Sequence, residues 1–269
     1  MAAGLEQIVS RVRRRVFEAR SQADMRVFEQ RAQKHRPREF RRTLQAKAKD
    51  GVAVIAELKK ASPSRGLIRT DFDAGKLARE MSDSGAAALS VLTEEEFFQG
   101  SLENLSIASA SSQLPCLRKD FIIDEFQLIE ARAYGADAVL LIVAALSPPE
   151  LTKLVRLSKE VGLDVLCEVH DERELTRALD AGSDLIGVNS RDLRTFQVDL
   201  NTALRLGQLI PKHVISVAES GIDSGQDIMR LRGAGYQAFL IGEALMKAER
   251  PGEALRLLLA EAETTVRSF

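Results

Sequence analysis

The chain has 269 residues, 45% of them apolar and 29% charged, with 38 Lys and Arg against 39 Asp and Glu. This composition is typical of a globular protein and excludes a disordered, collagen-like or disulfide-framed chain. The longest apolar run, residues 138–146, has nine residues, whereas a membrane-spanning helix needs about 20. There are two cysteines, and the start lacks the apolar core of a secretory signal. We therefore expect a cytoplasmic protein without a membrane partner.

The first 50 residues are basic and have helical periodicity. They carry 14 Lys and Arg against 6 Asp and Glu, a net charge of +8, so the remaining 219 residues carry −9. Apolar residues such as Val12, Val16 and Phe28 recur at helical spacing among the arginines. We predict a helical extension over residues 1–50, packed on a unit formed by residues 51–269. The alternative is a basic arm that binds nucleic acid or an acidic partner, but acidic residues are interspersed and no RNA-binding signature accompanies them.

From Gly51 onward one unit recurs, made of a short apolar run, a polar loop and a segment with helical periodicity. Continuous apolar runs are typical of strands buried on both faces of a parallel sheet. The residues that mark the C-terminal ends of successive runs are 59, 93, 119, 143, 168, 189, 219 and 242. They lie 21 to 34 residues apart, which leaves room for a helix and two connections each time. The eight predicted strands are residues 52–56, 87–92, 114–117, 138–143, 164–167, 185–188, 214–218 and 238–241.

Eight strands joined by helices either close into a (β/α)8 barrel or lie open as a doubly wound sheet. Eight units within about 220 residues, and the absence of a Gly-rich dinucleotide fingerprint, favour the closed form. The predicted fold is a single α/β (β/α)8 TIM barrel with an extra N-terminal helical segment. The start of one helix is also predicted. Residues 147–150, Ser-Pro-Pro-Glu, match a capping box with proline at the first helical position.

Charged side chains stand at the C-terminal ends of the predicted strands, where a barrel of this kind carries its active site. Glu57 and Lys59 are two residues apart on the first strand, so both side chains point to the same face. Lys119 follows the third strand and Glu168 the fifth. The sixth and seventh strands are followed by Asn189, Arg191 and Glu219. Because buried charges need partners, this set predicts a site for an anionic small molecule.

Small-residue turns follow the last two strands. They are Ser220-Gly221 and Gly242-Glu243. In a barrel, the backbone N–H groups of such turns, together with a helix N-terminus, can hold a phosphate group. We therefore expect a phosphorylated substrate.

The three histidines are scattered along the chain and form no metal-binding constellation, so no metal is predicted. They are His35 in the extension, His170 after the fifth strand and His213 before the seventh. His170 lies near the mouth of the predicted barrel, and we expect a surface or capping role for it.

Residues 55–66, Ile-Ala-Glu-Leu-Lys-Lys-Ala-Ser-Pro-Ser-Arg-Gly, closely resemble the signature of the indole-3-glycerol phosphate synthases, barrel enzymes of tryptophan biosynthesis. The resemblance runs from about residue 51 to the end, and that family also has an extra N-terminal helical segment. It is supported, in the same chain order, by residues 92–101, 117–121, 168–170, 188–193, 218–222 and 240–246. It implies a carboxy-lyase without a cofactor, which converts 1-(2-carboxyphenylamino)-1-deoxyribulose 5-phosphate into indole-3-glycerol phosphate, CO2 and water.

The resemblance also implies catalytic roles. An aromatic carbon attacks a ketone, and Lys119 is the acid that protonates the ketone oxygen; a pKa lowered by neighbouring cations would suit this role. Lys59 binds anionic groups and donates a proton in the dehydration, in which Glu168 is the base. Glu57 orients Lys59 and the sugar hydroxyls.

The remaining implied roles concern binding. Asn189 and Arg191 hold the carboxylate of the anthranilate ring, and Phe98 and Phe121 flank that ring. The phosphate cradle is formed by Ser220, Gly221, Gly242 and Glu243, with Glu219 supporting the site and Ser62 a further binding residue. Some relatives have Ser in place of Glu243, so its carboxylate must point away from the phosphate and offer only its N–H.

Two alternatives remain open at this stage. Another phosphate-binding barrel, such as phosphoribosylanthranilate isomerase, would need a carboxylate acid and a Cys or Asp base rather than Lys59 and Lys119. The basic-arm hypothesis would add a nucleic-acid or acidic partner. The synthase hypothesis requires only a small phosphorylated substrate and no nucleic acid. A monomer is the simplest expectation, although the sequence does not exclude an oligomer.

Overall fold

Eight parallel strands close into a barrel in this computed structural model, which describes residues 4–192 and 195–266, with side chains through residue 263. Each strand pairs with the next along the chain, and the eighth pairs with the first. The strands are β1 (Ala53–Leu58), β2 (Ala88–Leu92), β3 (Cys116–Lys119), β4 (Ala138–Ile142), β5 (Asp164–Val169), β6 (Leu185–Asn189), β7 (Ile215–Glu219) and β8 (Ala238–Ile241). The predicted (β/α)8 barrel is confirmed. Leu193, the last residue of one family-like motif, lies outside the described residues.

Helices precede the barrel and follow each strand. Those before the barrel are α1 (Leu5–Gln22), α2 (Met25–Lys34) and α3 (Phe40–Asp50). Those around it are α4 (Ala74–Asp83), α5 (Leu102–Ser111), α6 (Phe126–Ala133), α7 (Pro148–Glu160), α8 (Glu172–Asp180), α9 (Leu200–Gly207), α10 (Gly225–Gly233), α11 (Glu243–Lys247) and α12 (Pro251–Val266). A single 3-10 turn, Val143–Ala145, precedes α7, which begins with the predicted capping box at Ser147. None of the described helices is both long and apolar enough to cross a membrane.

Alternation along the strands divides the apolar core into two parts. One part fills the barrel and includes Ile55, Leu117, Leu140, Leu166 and Leu240. The other lies between the strands and the surrounding helices and includes Val54, Leu89, Val139, Val165 and Phe239. Because side chains alternate along a strand, Glu57 follows Ile55 on the inner face, as predicted. Lys119 follows Leu117 in the same way, and Glu168 follows Leu166.

The N-terminal segment reaches both ends of the barrel. On α1, Ile8, Val12 and Val16 are buried, and on α3 Phe40 and Leu44 are fully buried. These side chains join the same apolar cluster as the barrel interior. The predicted helical segment is confirmed. Of the apolar residues that indicated it, Val12 and Val16 are buried and Phe28 is partly buried.

The arginines of this segment pair with acidic residues of the barrel. Arg15 on α1 contacts Glu94 at 3.2 Å and Asp120 at 3.4 Å, beyond the C-terminal ends of β2 and β3. Arg38, before α3, contacts Asp137 at 2.7 Å, just before β4 begins. Part of the positive charge of the extension is therefore paired with acidic residues of the negatively charged barrel.

Candidate active site

A cavity of about 550 Å³ opens at the C-terminal ends of the strands. Every residue that the sequence predicted for the site lines it. These residues are Glu57, Lys59, Ser62, Phe98, Lys119, Phe121, Glu168, Asn189, Arg191, Glu219, Ser220, Gly221, Gly242 and Glu243. The cavity also contains residues that the sequence reasoning did not select, among them Arg65 and Glu94.

Lys119 lies at the centre of a buried group of charges. Its Nζ atom donates hydrogen bonds to Glu168 Oε2 at 3.0 Å and to Glu219 Oε2 at 2.5 Å. The lysine side chain is 13% exposed, while Glu168 and Glu219 are almost fully buried. Because the three residues end β3, β5 and β7, only the closed barrel brings them together.

The pKa of Lys119 is shifted in the direction opposite to the one expected from the sequence. Burial alone would lower its pKa, but the carboxylates of Glu219, Glu168 and Glu57 outweigh burial and hold the pKa above its usual value. The expectation that neighbouring cations lower it is therefore wrong. The carboxylates favour the ammonium form of Lys119, which holds a proton that a reacting oxygen could receive.

Glu168 and Glu219 differ although both contact Lys119. Burial raises the pKa of each, but the charges of Lys119 and His170 hold that of Glu168 below its usual value. For Glu219, burial and the nearby negative charge of Glu168 outweigh Lys119 and raise the pKa to about 7. Two carboxyl groups whose environments separate their pKa values are suited to different roles.

Lys59 and Glu57 form a second ion pair on the same inner face of β1. Lys59 Nζ lies 2.5 Å from Glu57 Oε1. Burial opposes the charged form of Glu57, but Lys59 and Lys119 hold its pKa below the usual value. Gly242 leaves the space that Glu57 occupies, since a Cβ atom there would lie 2.5 Å from Glu57 Oε1. A side chain at position 242 would displace this carboxylate.

The loops after β6 and β7 are joined by hydrogen bonds through Asn189. Its Oδ1 atom accepts from Ser220 Oγ at 2.8 Å and from the backbone N–H of Arg191 at 3.0 Å. Ser220 and Gly221 both have left-handed backbone conformations, with φ of 67° and 73°. Such a turn directs consecutive N–H groups to one side, an arrangement suited to an anion.

The carboxylate of Glu243, which we expect to point away from the phosphate, pairs with three cations. Its carboxylate contacts Arg65 at 2.9 Å, Arg191 at 3.3 Å and Lys247 at 2.6 Å. Burial opposes its charge, but Lys247, Arg65 and Arg191 hold its pKa below the usual value. Glu243 is therefore an ionised carboxylate that forms an ion pair with Arg191. Arg65 belongs to the motif of residues 55–66, yet nothing local indicated that it contacts Glu243, which follows the neighbouring strand β8.

Phe98 and Phe121 face each other across one side of the cavity. Their ring centroids are 6.4 Å apart with the planes tilted by 46°. The loop that carries Phe98 is held by Glu94, whose carboxylate accepts from the backbone N–H groups of Phe97 at 2.7 Å and Phe98 at 3.2 Å. Since Arg15 contacts Glu94, the N-terminal extension supports this aromatic wall. Glu94 lies in the motif of residues 92–101, but its supporting role was not predicted.

His170 is not a surface residue. Its side chain is only 15% exposed. Its backbone N–H donates to Glu174 Oε2 at 2.8 Å, which agrees with the expected capping role. The ring, however, lies with Nδ1 3.0 Å from Glu174 Oε2 and Nε2 3.4 Å from Glu168 Oε1. In the described ranges, no group of three or more His, Cys, Asp and Glu side chains is arranged to hold a metal ion.

Comparison with known proteins agrees with this geometry. A family profile described as indole-3-glycerol phosphate synthase matches residues 5–258. The indole-3-glycerol phosphate synthase of Koribacter versatilis is 57% identical over 259 residues, which cover 96% of this chain and all of the relative. That of Polaromonas naphthalenivorans is 46% identical over 258 residues, which cover 95% of each chain.

Among solved structures, the thiamine phosphate pyrophosphorylase of Pyrococcus furiosus superposes with a TM-score of 0.61 at 16% identity, covering 80% of this chain and 97% of that one. At such low identity, the superposition supports the barrel fold alone. The sequence matches cover nearly the whole chain and include the strand ends that line the cavity. The chain therefore belongs to the indole-3-glycerol phosphate synthase family.

Proposed function

We propose that the protein converts 1-(2-carboxyphenylamino)-1-deoxyribulose 5-phosphate into indole-3-glycerol phosphate with loss of CO2 and water. The observation that carries this proposal is the contact of Lys119 with Glu168, 3.0 Å apart in a cavity that also contains Lys59. This contact places a protonated acid, Lys119, next to an ionised base, Glu168, with the ammonium group of Lys59 in the same cavity. Ring closure followed by dehydration requires such a set and no redox chemistry.

In the first half of the reaction, the ring carbon that bears the carboxylate attacks the ketone carbon and forms the new C–C bond. Lys119 donates its proton to the ketone oxygen as that oxygen gains negative charge. The C–CO2 bond then breaks, and its electron pair restores the aromatic ring. Because neighbouring carboxylates raise its pKa, Lys119 carries the proton at the start of the reaction.

In the second half, the hydroxyl group made from the ketone leaves as water after Lys59 donates a proton to it. Glu168 removes the proton from the carbon beside the ring nitrogen, and the C=C bond of the indole forms. The low pKa of Glu168 keeps it in the base form needed for this step. Glu57 holds Lys59 at 2.5 Å and so keeps its ammonium group inside the cavity.

The anionic ends of the substrate are bound at separate places. We assign the ring carboxylate to Arg191 and Asn189, because a guanidinium group matches a carboxylate with two parallel hydrogen bonds. Arg191 must then exchange its contact with Glu243 for the substrate, while Arg65 and Lys247 remain to balance Glu243. The aromatic ring lies between Phe98 and Phe121.

We assign the phosphate to the loops after β7 and β8. The left-handed turn of Ser220 and Gly221 and the N–H groups at Gly242 and Glu243 provide neutral donors. Glu219 supports Lys119, and Ser62 contributes a hydroxyl group from the loop after β1.

The direct test is incubation of the purified chain with the synthetic substrate while indole fluorescence and CO2 release are followed. We expect equal amounts of both products. Absence of turnover at high enzyme concentration would refute the proposal. The isomerase alternative predicts instead that phosphoribosylanthranilate is consumed without CO2 release.

We further propose a cytoplasmic monomer without a nucleic-acid partner. The pairing of Arg15 with Glu94 and of Arg38 with Asp137 supports the absence of a nucleic-acid partner, since these arginines are engaged within the chain. Sedimentation would test the monomer. Binding of random DNA that weakens steeply with salt would contradict the absence of a nucleic-acid partner.

A further inference from the structure

Two buried carboxyl groups share one ammonium group in the site. Glu168 and Glu219 both contact Lys119 Nζ through their Oε2 atoms, and both are at most 2% exposed. Lys119 alone therefore does not decide which of the two is ionised. Which carboxyl group is ionised depends on what the Oε1 atom of each one contacts.

The second oxygens of the two carboxyl groups have different surroundings. Glu219 Oε1 is buried and has no hydrogen-bond partner among residues 4–192 and 195–266. Glu168 Oε1 lies 3.4 Å from His170 Nε2, an ion-pair distance. An isolated buried charge is costly, whereas a paired one is much less so. The geometry thus favours the charge on Glu168.

The contacts of His170 favour one protonation state of its ring. Nδ1 lies 3.0 Å from Glu174 Oε2 and Nε2 faces Glu168, so each ring nitrogen faces a carboxylate. An ionised carboxylate only accepts hydrogen bonds, and a neutral imidazole has a single N–H. Nδ1 is hydrogen-bonded to Glu174, whereas Nε2 makes no hydrogen bond and lies only at ion-pair distance from Glu168. A ring between two carboxylates is favoured as the imidazolium cation.

The orientation of the ring is set from outside the cavity. Glu174 Oε2 accepts from both the backbone N–H and Nδ1 of His170. Glu174 itself is held at the start of α8, where its N–H donates to the side chain of Asp171 at 2.8 Å. His170 is not among the residues that line the cavity, so it acts on the chemistry through Glu168.

We propose that His170 is a positioning residue which, as an imidazolium, makes Glu168 rather than Glu219 the ionised partner of Lys119 and directs Oε2 of Glu168 towards the reacting atoms. This inference rests on the proposed function, because it assigns a role in the dehydration step. Without His170, the proton shared by the two carboxyl groups would spend part of its time on Glu168. A protonated Glu168 is unable to act as the base.

The electrostatics of the surrounding groups agree with this assignment. Glu168 is faced by Lys119 from β3, Glu219 from β7, Glu57 from β1 and His170 from the end of β5. Burial lowers the pKa of His170, but Glu168 and Glu174 outweigh burial and raise it to about 10.

The test measures kcat and KM across the pH range for wild type and His170→Asn. We expect kcat to fall about tenfold or more, within the range of acid–base catalysis, with KM little changed. We also expect the acidic limb of the kcat profile to move up by about 1 to 3 pH units, the effect of one nearby charge. His213→Asn, which removes an exposed histidine, is the matched control and should leave both quantities unchanged.

A second variant separates the charge of His170 from its role in capping α8. Glu174→Gln keeps an oxygen acceptor but removes the negative charge that favours the imidazolium. Without that charge the pKa of His170 falls, so the ring loses its proton at a lower pH. We therefore expect kcat to be lost on the alkaline side of the profile. A uniform loss across the pH range, with lower unfolding free energy, would indicate capping alone and overturn the inference.

Nuclear magnetic resonance of ¹⁵N-histidine provides a test that does not need turnover. The chain has three histidines, so His170→Asn and His213→Asn together assign all the ring signals. We expect both ring nitrogens of His170 to remain protonated at about pH 8, where an ordinary histidine is neutral. A neutral ring at that pH, or a His170→Asn profile identical to wild type, would overturn the inference. Inactive wild type with a charged His170 would refute the proposed function instead.

Discussion

Replacement of Lys119 by Met removes the ammonium group that joins Glu168 to Glu219 and keeps a side chain of similar length. The loss of a positioned general acid lowers kcat by about 10²- to 10⁴-fold, equivalent to about 2.7 to 5.4 kcal/mol in the activation barrier. The two carboxyl groups would otherwise repel each other, so one takes up a proton. Glu219, with a pKa already raised to about 7, is the group expected to do so.

The assay is steady-state turnover of the substrate, followed by indole fluorescence, with substrate affinity measured separately by titration. Affinity should change little, because Lys119 acts on charge that develops only in the transition state. Lys76→Met, which removes an exposed lysine on α4, is the matched control and should match wild type. Turnover of Lys119→Met within about threefold of wild type would refute the assignment of the acid.

Three further variants test other parts of the account. Glu168→Gln should lower kcat by about 10²- to 10⁴-fold, mainly in dehydration, and a normal rate of that step by rapid-quench analysis would remove Glu168 from the mechanism. Gly242→Ala places a Cβ atom against Glu57 Oε1, so kcat/KM should fall about tenfold or more. Unchanged kinetics would show that the position of the Glu57–Lys59 pair is unimportant for turnover. Asp137→Asn should lower the unfolding free energy in urea by about 3 to 5 kcal/mol, because it unpairs Arg38, and an equally stable variant would exclude this pair as an anchor.

The Asp137 variant also has a predicted pH dependence. Burial opposes the charge of Asp137, but His35, Arg38 and the backbone N–H of Cys116 hold its pKa below the usual value. A depressed pKa contributes stability above the unfolded-state pKa of about 3.9, and that contribution is lost as the pH falls through the folded-state value. The stability difference between wild type and Asp137→Asn should therefore shrink below about pH 4. A difference that persists there would show that it does not arise from the charge.

The strands and the site residues were predictable because the relevant signals are local. Each barrel strand is a short apolar run, and the first charged residue after it marks the C-terminal end. Glu168 and Glu219 occupy such positions, and Lys119 follows one residue after Arg118. Barrel closure alone suffices to bring strand ends to one mouth.

The partners of these groups were not predictable, since they depend on distances across the barrel. Lys119 is 49 residues from Glu168 and 100 from Glu219 along the chain. The sequence therefore did not reveal that acids, rather than cations, surround Lys119, and its expected pKa shift had the wrong sign. The position of His170 beside Glu168 is set by the loop into α8 and by Glu174, and no spacing rule identifies that contact.

The position of the reacting groups is the central claim, and a crystal structure with bound product or an inert substrate analogue tests it most directly. We expect phosphate oxygens within about 3.2 Å of the N–H groups of Gly221 and Gly242. We also expect Lys119 Nζ within hydrogen-bond distance of the oxygen derived from the ketone, with Glu168 beside the carbon that loses its proton. A ligand whose phosphate lies elsewhere, or whose ketone-derived oxygen is far from Lys119, would contradict the account.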